Sequence, residues 1–324
     1  MTWLITGGAG YIGAHVVEKL TSIGRNVFVL DDLSTGIAAR ISSVTRVNNI
    51  SLQDSNAVNA VFKNHEVFGV IHIAAKKRVA ESVERPDYYW QENVGGLQNL
   101  LAAMKSYGVK NFVFSSSAAV YGQPDLSSGE LITEKTPCVP INPYGATKLE
   151  GEALSRAMSE SDGLKVVALR YFNVAGAGRP ELGDQYSFNL VPIVFDALER
   201  GVQPVVFGDD YPTPDGSCIR DYVHVKDLAD AHIAAMDFVE KSEPGFTAIN
   251  IGTGSGASVF EALQMIQEIT GISTDPIVGQ RREGDPAVLV ADVSFAKEVL
   301  GWQSSRDLRD IVASAWDAWQ LGHK

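Results

Sequence analysis

Short apolar runs recur through the first half of the chain, at TWLIT, NVFVL, TRVNNI, VFGVIHIA, NFVFSSS and KVVALRYF, with amphipathic stretches between them. Runs that stay apolar through their centres are strands covered on both faces, and helical-period spacers are the crossovers that cover them. Six such units predict an α/β fold built on a doubly wound parallel sheet. Past residue 176 the pattern breaks into Gly- and Pro-rich runs such as AGAGRPELGDQYS. This predicts a first domain over 1–176 and a smaller mixed α/β domain over 177–324. TAINIGT is apolar enough to rejoin the first sheet, so about 222–252 is expected to return to the first domain. The chain shows no internal repeat and no low-complexity segment.

Composition narrows the partners. The 324 residues are 45% hydrophobic and 20% charged, a globular balance that can bury a large core. A net charge of −12 and a pI near 5.0 disfavour nucleic acid and anionic membranes, so an anionic ligand needs a local basic cluster. The two cysteines, Cys138 and Cys218, lack the paired spacing of a zinc or redox motif. No metal is expected, and free thiols suit a reducing cytoplasm. No apolar run approaches the ~20 residues of a membrane span, and the chain enters its first strand without a charged leader.

LITGGAGYIGAHVVEKL sets Gly7, Gly10 and Gly13 between the first strand and the first helix. Small residues there permit a tight turn and close approach to a pyrophosphate, while the helix N-terminus supplies amide donors. Asp31 in VLDDL closes the second strand 18 residues after Gly13 (31 − 13), where a carboxylate accepts from an adenosine ribose and repels a 2′-phosphate. The pattern favours NAD over NADP; a purely structural glycine turn is the alternative.

Tyr144 and Lys148 in NPYGATKLEGE lie four apart at the head of a predicted helix, so they project from one face. A nearby ammonium and a positive nicotinamide would lower the tyrosine pKa toward that of a general base. Ser117 ends the strand NFVFSSS, at the edge where open sheets bind ligands. By spacing alone, a surface pair is the stronger reading of Tyr144 and Lys148, since such spacings are common.

The Gly-x-x-Gly-x-x-Gly spacing with Tyr144-x-x-x-Lys148 resembles the extended short-chain dehydrogenase/reductase family, which is built on a Rossmann fold. VIHIAAKKRVAESVERP, FVFSSSAAVYG, PYGATK, LRYFNVAGA, VFGDDYPTPDGSCIRDYVHVKDLADAH and QRREGDPA follow in order, so the resemblance covers nearly the whole chain and lies with its nucleotide-sugar epimerases. It implies an NAD-dependent isomerase that interconverts UDP-galactose and UDP-glucose through a 4-keto sugar. Tyr144, Lys148 and Ser117 would be catalytic. Related dehydratases carry Thr-Asp-Glu where this chain has Ser117-Ala118-Ala119, and two alanines cannot eliminate water.

The resemblance also places Tyr11 and Ile12 at the cofactor phosphates, Ile50 and Ile73 on the cofactor side, Lys77 at the nicotinamide or a cofactor phosphate, and Phe172 at the nicotinamide. Asn49 would stand at the adenine, in place of the usual aspartate. On the substrate side it implies Arg220 and Arg282 at the diphosphate, Asn173 and Asn189 at the pyrophosphate and sugar, Phe207 on the uracil and Asp285 at its ribose. Leu289 matches the position that gates the sugar C2 substituent. Lys76 and Arg78 match nothing and are expected in solvent.

Alternatives are a 4-epimerase of another UDP-sugar (N-acetylated, uronate or pentose) and a non-catalytic NAD sensor. The family's helices imply a homodimer, with Leu97, Leu100, Leu101, Met104, Leu149, Leu154 and Met158 as interface candidates; burial against the chain's own sheet explains much of the same pattern.

Overall fold

The computed structural model describes residues 1–124, 130–282 and 285–322. Strands β1 (Thr2–Thr6), β2 (Asn26–Asp31), β3 (Val47–Asn49), β4 (Val67–His72), β5 (Asn111–Ser115) and β6 (Lys165–Tyr171) arise from the six apolar runs. They are followed by β7 (Asn173–Ala175), β8 (Val205–Phe207), β9 (Ile219–His224), β10 (Gly245–Ile251), β11 (Gly256–Ser258), β12 (Ile277–Gly279) and β13 (Val288–Leu289). The main sheet has seven strands, all parallel, in the order β10-β6-β5-β4-β1-β2-β3. The TAINIGT run forms β10 and extends this sheet beside β6.

Helices α1 (Tyr11–Ser22), α2 (Ser55–Asn64), α3 (Val79–Glu84), α4 (Pro86–Trp90), α5 (Gly96–Ser106) and α6 (Pro143–Asp162) lie in the first half. The second half adds α7 (Leu190–Glu199), α8 (Val225–Lys241), α9 (Val259–Thr270), α10 (Ser294–Leu300) and α11 (Leu308–Gly322). One apolar core, with Val16, Leu20, Leu228 and Met236, fills the side of the sheet under α1 and α8; a second, with Val58, Leu97, Leu100 and Met104, fills the other under α2 and α5. Both faces are covered, which is why the central strands carry no polar alternation.

Strand order reverses between β1 and β4, and the strand ends part there to leave a crevice. The chain changes sheets at Phe172: β6 ends at Tyr171 in the main sheet, and β7 pairs with β9 in a second, four-stranded sheet with β11 and β13. The crevice therefore lies between the main sheet's carboxyl edge and the elements that follow Phe172.

Five of the proposed interface residues need correction. Leu97, Leu100 and Met104 are fully buried in the chain's own core, with Leu101 and Met158 nearly so, and Leu154 packs against the same cluster. Leu149 packs against another cluster, around Tyr121 and Ile132. The outward surface of α5 and α6 carries Ala102, Ala153 and Ala157 instead. A helical apolar stripe records burial without saying against which partner.

Candidate active site

The cleft has a volume of about 680 Å³ and runs from the glycine turn, past Ser117, Tyr144 and Lys148, to Arg220, Arg282 and Asp285. At its cofactor end, Gly7 has φ of 70°, and a Cβ there would stand 2.6 Å from the Ala74 nitrogen. A Cβ at Gly13 would stand 2.1 Å from the Gly7 carbonyl oxygen. These glycines leave a backbone-walled hollow where α1 begins. Gly10 is the N-cap and no side chain caps the helix, so its first amides are available to an anion. Asp31 accepts from the Ala9 amide through Oδ2 and from the Leu33 amide through Oδ1, both at 2.9 Å, which fixes its carboxylate on the cleft wall. Hollow, helix end and carboxylate fit an NAD pyrophosphate and ribose.

Ile12, Ile50 and Ile73 line the same end, and Phe172 lies deeper, its amide donating to the Ile251 carbonyl at 3.1 Å. The Tyr11 side chain is buried, with its hydroxyl donating to the Gly176 carbonyl, so it also ties the turn to the chain after β7. Asn49 does not line the cleft. β3 is short, Asn49 is exposed at its end, and Ile50 through Gln53 form the rim instead.

Helix α6 starts where the sequence dictates. Asn142 caps it by accepting from the Gly145 amide at 2.8 Å, and Pro143 takes the first turn, where no amide donor is missed. Tyr144, Lys148 and Glu152 occupy successive turns of its buried face. Tyr144 and Ser117 stand side by side on the cleft wall, close enough for the Ser117 side chain to act on the Tyr144 phenol. Lys148 Nζ donates to the Ser115 carbonyl at 2.8 Å and lies 6.0 Å from the Tyr144 ring centre.

The expected pKa tuning is not what the protein alone produces. Burial raises the Tyr144 phenol above its ordinary value, and the Ser117 hydroxyl beside it opposes this in part. Burial also pulls Lys148 down to about 7, so near neutrality it is only partly an ammonium.

At the substrate end, Arg220 Nη2 donates to Asp285 Oδ1 at 2.5 Å, and Leu289 sits beside Arg220 in the strand register. The Arg282 guanidinium stacks 3.9 Å over Phe207. Phe207 itself does not line the cleft; it is partly exposed and backs Arg282. Asn173 and Asn189 line the cleft, and Asn189 donates to Asp184 Oδ2 at 3.0 Å.

Three cleft residues escaped the sequence. Asp184 accepts from Asn189 and pairs with Lys77 at 3.8 Å, holding both across the opening; the Gly/Pro-rich run around it gave no signal. Asn93 lies in a π-helical turn, Gln91–Gly95, where it brackets the Lys76 backbone and donates to Thr147 of α6 at 3.0 Å. Lys76 is the third: its side chain is 17% exposed, donates to Ser34 Oγ at 2.7 Å and faces Asp32 and Glu92, so it is not a solvated lysine. Arg78, by contrast, is exposed as expected, with its guanidinium 4.4 Å from the Phe188 ring centre.

Residues 3–252 match the model of the NAD dependent epimerase/dehydratase family. The UDP-glucose 4-epimerase of Streptomyces lividans is 41% identical over 326 residues, spanning 99% of this chain and 96% of that protein. That of Streptococcus mutans is 43% identical over 332 residues, spanning 100% and 98%. A crystal structure of UDP-glucose-4-epimerase from Stenotrophomonas maltophila, with bound NAD and formylated UDP-arabinopyranose, superposes with TM-score 0.94 at 35% identity, covering 100% of this chain and 99% of that one. The Bifidobacterium longum UDP-glucose 4-epimerase in complex with NAD+ and UDP gives TM-score 0.91 at 36% identity over 99% and 98%. With a glycine-walled hollow at one end of its cleft and a Tyr-Lys-Ser group at the centre, this chain belongs to the NAD-dependent epimerase/dehydratase family.

Proposed function

We propose that this chain interconverts UDP-galactose and UDP-glucose, with Tyr144 as general base and acid, Ser117 as its hydrogen-bonding partner and Lys148 as the cation behind them. The observation that carries this is one continuous cleft in which Tyr144 and Ser117 stand between the glycine turn and the Arg220–Arg282 end.

NAD, when bound, supplies the acceptor and then the donor of hydride at sugar C4, and its positive ring favours the Tyr144 phenolate that burial opposes. Tyr144 removes the proton of the C4 hydroxyl, with Ser117 aligning the two oxygens. After the 4-keto sugar turns over, Tyr144 returns the proton to the oxygen, now carried on the opposite face. Ala118 and Ala119 line the cleft beside Ser117 and provide no carboxylate to eliminate water. Arg220 and Arg282 are proposed to hold the diphosphate by charge-assisted bonds, and Asp285 to exchange its Arg220 bond for the uridine ribose. Residues 1–176, with 222–252, would serve the cofactor and the remainder the UDP-sugar.

The test is to release and identify the nucleotide from purified protein and to follow UDP-galactose conversion. Tyr144→Phe is expected to lower kcat by about 10²-fold or more with the nucleotide retained; equal conversion by both proteins sinks the mechanism.

Leu289, on the wall of the sugar end, supports a second reading in which N-acetylated sugars enter as well; a UDP-Glc/GlcNAc 4-epimerase from Campylobacter jejuni superposes with TM-score 0.87 at 34% identity, covering 99% of each chain. Leu289→Tyr should depress turnover of N-acetylated relative to plain sugars, and an unchanged ratio removes Leu289 from that role.

We also propose a cytoplasmic homodimer serving galactose metabolism. Two free thiols support the compartment, and Trp90, 46% exposed ahead of α5, supports a covered surface. Among the described residues no helix is long and apolar enough to cross a membrane. Sedimentation as a monomer at micromolar concentration would refute the dimer.

A further inference from the structure

The end of β5 engages α6 at three successive turns. Ser117 stands beside Tyr144 on the cleft wall, the Ser115 carbonyl accepts from Lys148 at 2.8 Å, and Ser116 Oγ donates to Glu152 Oε1 at 2.5 Å. The third of these is fixed by a guanidinium. Arg170, on neighbouring β6, donates to Glu152 through Nε at 2.9 Å and Nη2 at 2.6 Å, the two side chains being 6% and 4% exposed. Its Nη1 donates to the Tyr121 hydroxyl at 3.0 Å, and Tyr121 donates to Asn250 Oδ1 at 2.7 Å. Tyr121 closes the 3-10 turn Ala118–Tyr121, which follows directly on Ser117.

Arg170 therefore holds the helix that carries Tyr144, the residue before Ser117 by way of Glu152, and the turn after Ser117. Glu152, Arg170, Tyr121 and Ser116 do not line the cleft, so they act on the reaction only through other residues. Stability alone is a poor reason for such a pair, since apolar residues of similar volume often replace buried ion pairs without loss. What a bidentate guanidinium offers is fixed direction. A general base also needs its partner placed to within a fraction of an ångström.

We propose that Arg170, paired with Glu152, is a positioning residue that sets the Ser117–Tyr144 contact through Ser116 on one side and Tyr121 on the other. The inference rests on Tyr144 being the base.

Two variants test it. Glu152→Gln with Arg170→Met removes both charges together and keeps an oxygen for Ser116, so no lone charge is buried. Tyr121→Phe removes one hydroxyl and leaves the ion pair. Nucleotide content, melting temperature, KM and kcat for UDP-galactose are measured on each. Expected are nucleotide content and KM within about twofold of wild type, with kcat lower by about tenfold or more in the double variant and about threefold or more in Tyr121→Phe. Adding Tyr121→Phe to Tyr144→Phe should cost nothing further, because the effect passes through the Tyr144 hydroxyl.

A folded, nucleotide-loaded double variant with kcat within about twofold of wild type overturns the proposal. So does a Tyr121→Phe effect that is equal in the presence and absence of the Tyr144 hydroxyl. If the double variant does not fold, Tyr121→Phe decides by the same criteria. A wild type that fails to convert UDP-galactose refutes the assigned reaction and this inference with it, whereas an active wild type with indifferent variants refutes the inference alone.

Discussion

Lys148 is 3% exposed, and the Ser115 carbonyl is the hydrogen-bond acceptor of its Nζ. Burial depresses its pKa to about 7 from an ordinary value of 10.5. Between those two values the unfolded chain binds a proton that the folded, cofactor-free protein does not. The contribution of Lys148 to stability therefore rises with pH across that window. Urea unfolding of cofactor-free protein at pH 7, 8 and 9 should show wild type gaining stability relative to Lys148→Met as pH increases. A constant difference would mean that the ammonium is stabilised in the fold. The same residue is expected to regain its proton when a phenolate forms beside it, since opposite charges a few ångströms apart favour each other.

At the scale of elements, the glycine turn is the tightest constraint on the cofactor end. The Gly13 position presses α1 against the Gly7 carbonyl, where an added methyl would sit at 2.1 Å, so Gly13→Ala has to displace either the helix or the turn. The expected outcome is a loss of about 1–3 kcal/mol of stability from overpacking, together with loss of retained nucleotide, since the anion-binding amides move with the helix. Thermal melting and nucleotide content of the purified variant check both. Retention at wild-type level would show that the turn yields without disturbing those amides. On the other side of the cleft, α6 is held against the sheet by Lys148, Glu152 and the Arg170 pair, and its start presses on the turn after Ser117: a Cβ at Gly145 would stand 2.5 Å from the Ala119 carbonyl.

At the scale of the whole molecule, four histidines among the described residues are buried and held neutral. Desolvation pulls His15, His224 and His232 down to about 4 and His72 to about 3, against an ordinary 6.5. Their neutral rings are bonded in place: His15 accepts from the Gly178 amide, His72 shares a proton with Thr6, His224 accepts from the Lys226 amide, and His232 bonds Ser115 and the Leu228 carbonyl. Each lowers stability as pH falls below about 6.5, by up to about 1.4 kcal/mol per pH unit, because the unfolded chain takes up the proton first. Acid unfolding followed between pH 7 and 4 should therefore steepen below pH 6.5. His232→Gln should flatten it, and an unchanged profile would mean that this ring is protonated in the fold.

The sequence by itself determined the sheet and its chemistry-bearing turns. Buried parallel strands must be apolar on both faces, so β1, β2, β4, β5 and β6 were legible as runs, and Gly7, Gly10, Gly13 and Asp31 as a strand-to-helix turn with its carboxylate. The spacing of Tyr144 and Lys148 fixed a shared helical face for the same local reason. What local pattern could not carry was which surface a side chain meets. The leucines of α5 turn inward, Asn49 falls outside the cleft at the end of a three-residue strand, and Phe207 backs an arginine. Asp184, Asn93 and the Glu152–Arg170 pair acquire their places from partners between 5 and 54 positions away, through Asn189, Thr147 and each other. Only tertiary structure brings such residues together. It also decides how much charge Lys148 carries, since desolvation is a property of the packed protein and not of a spacing.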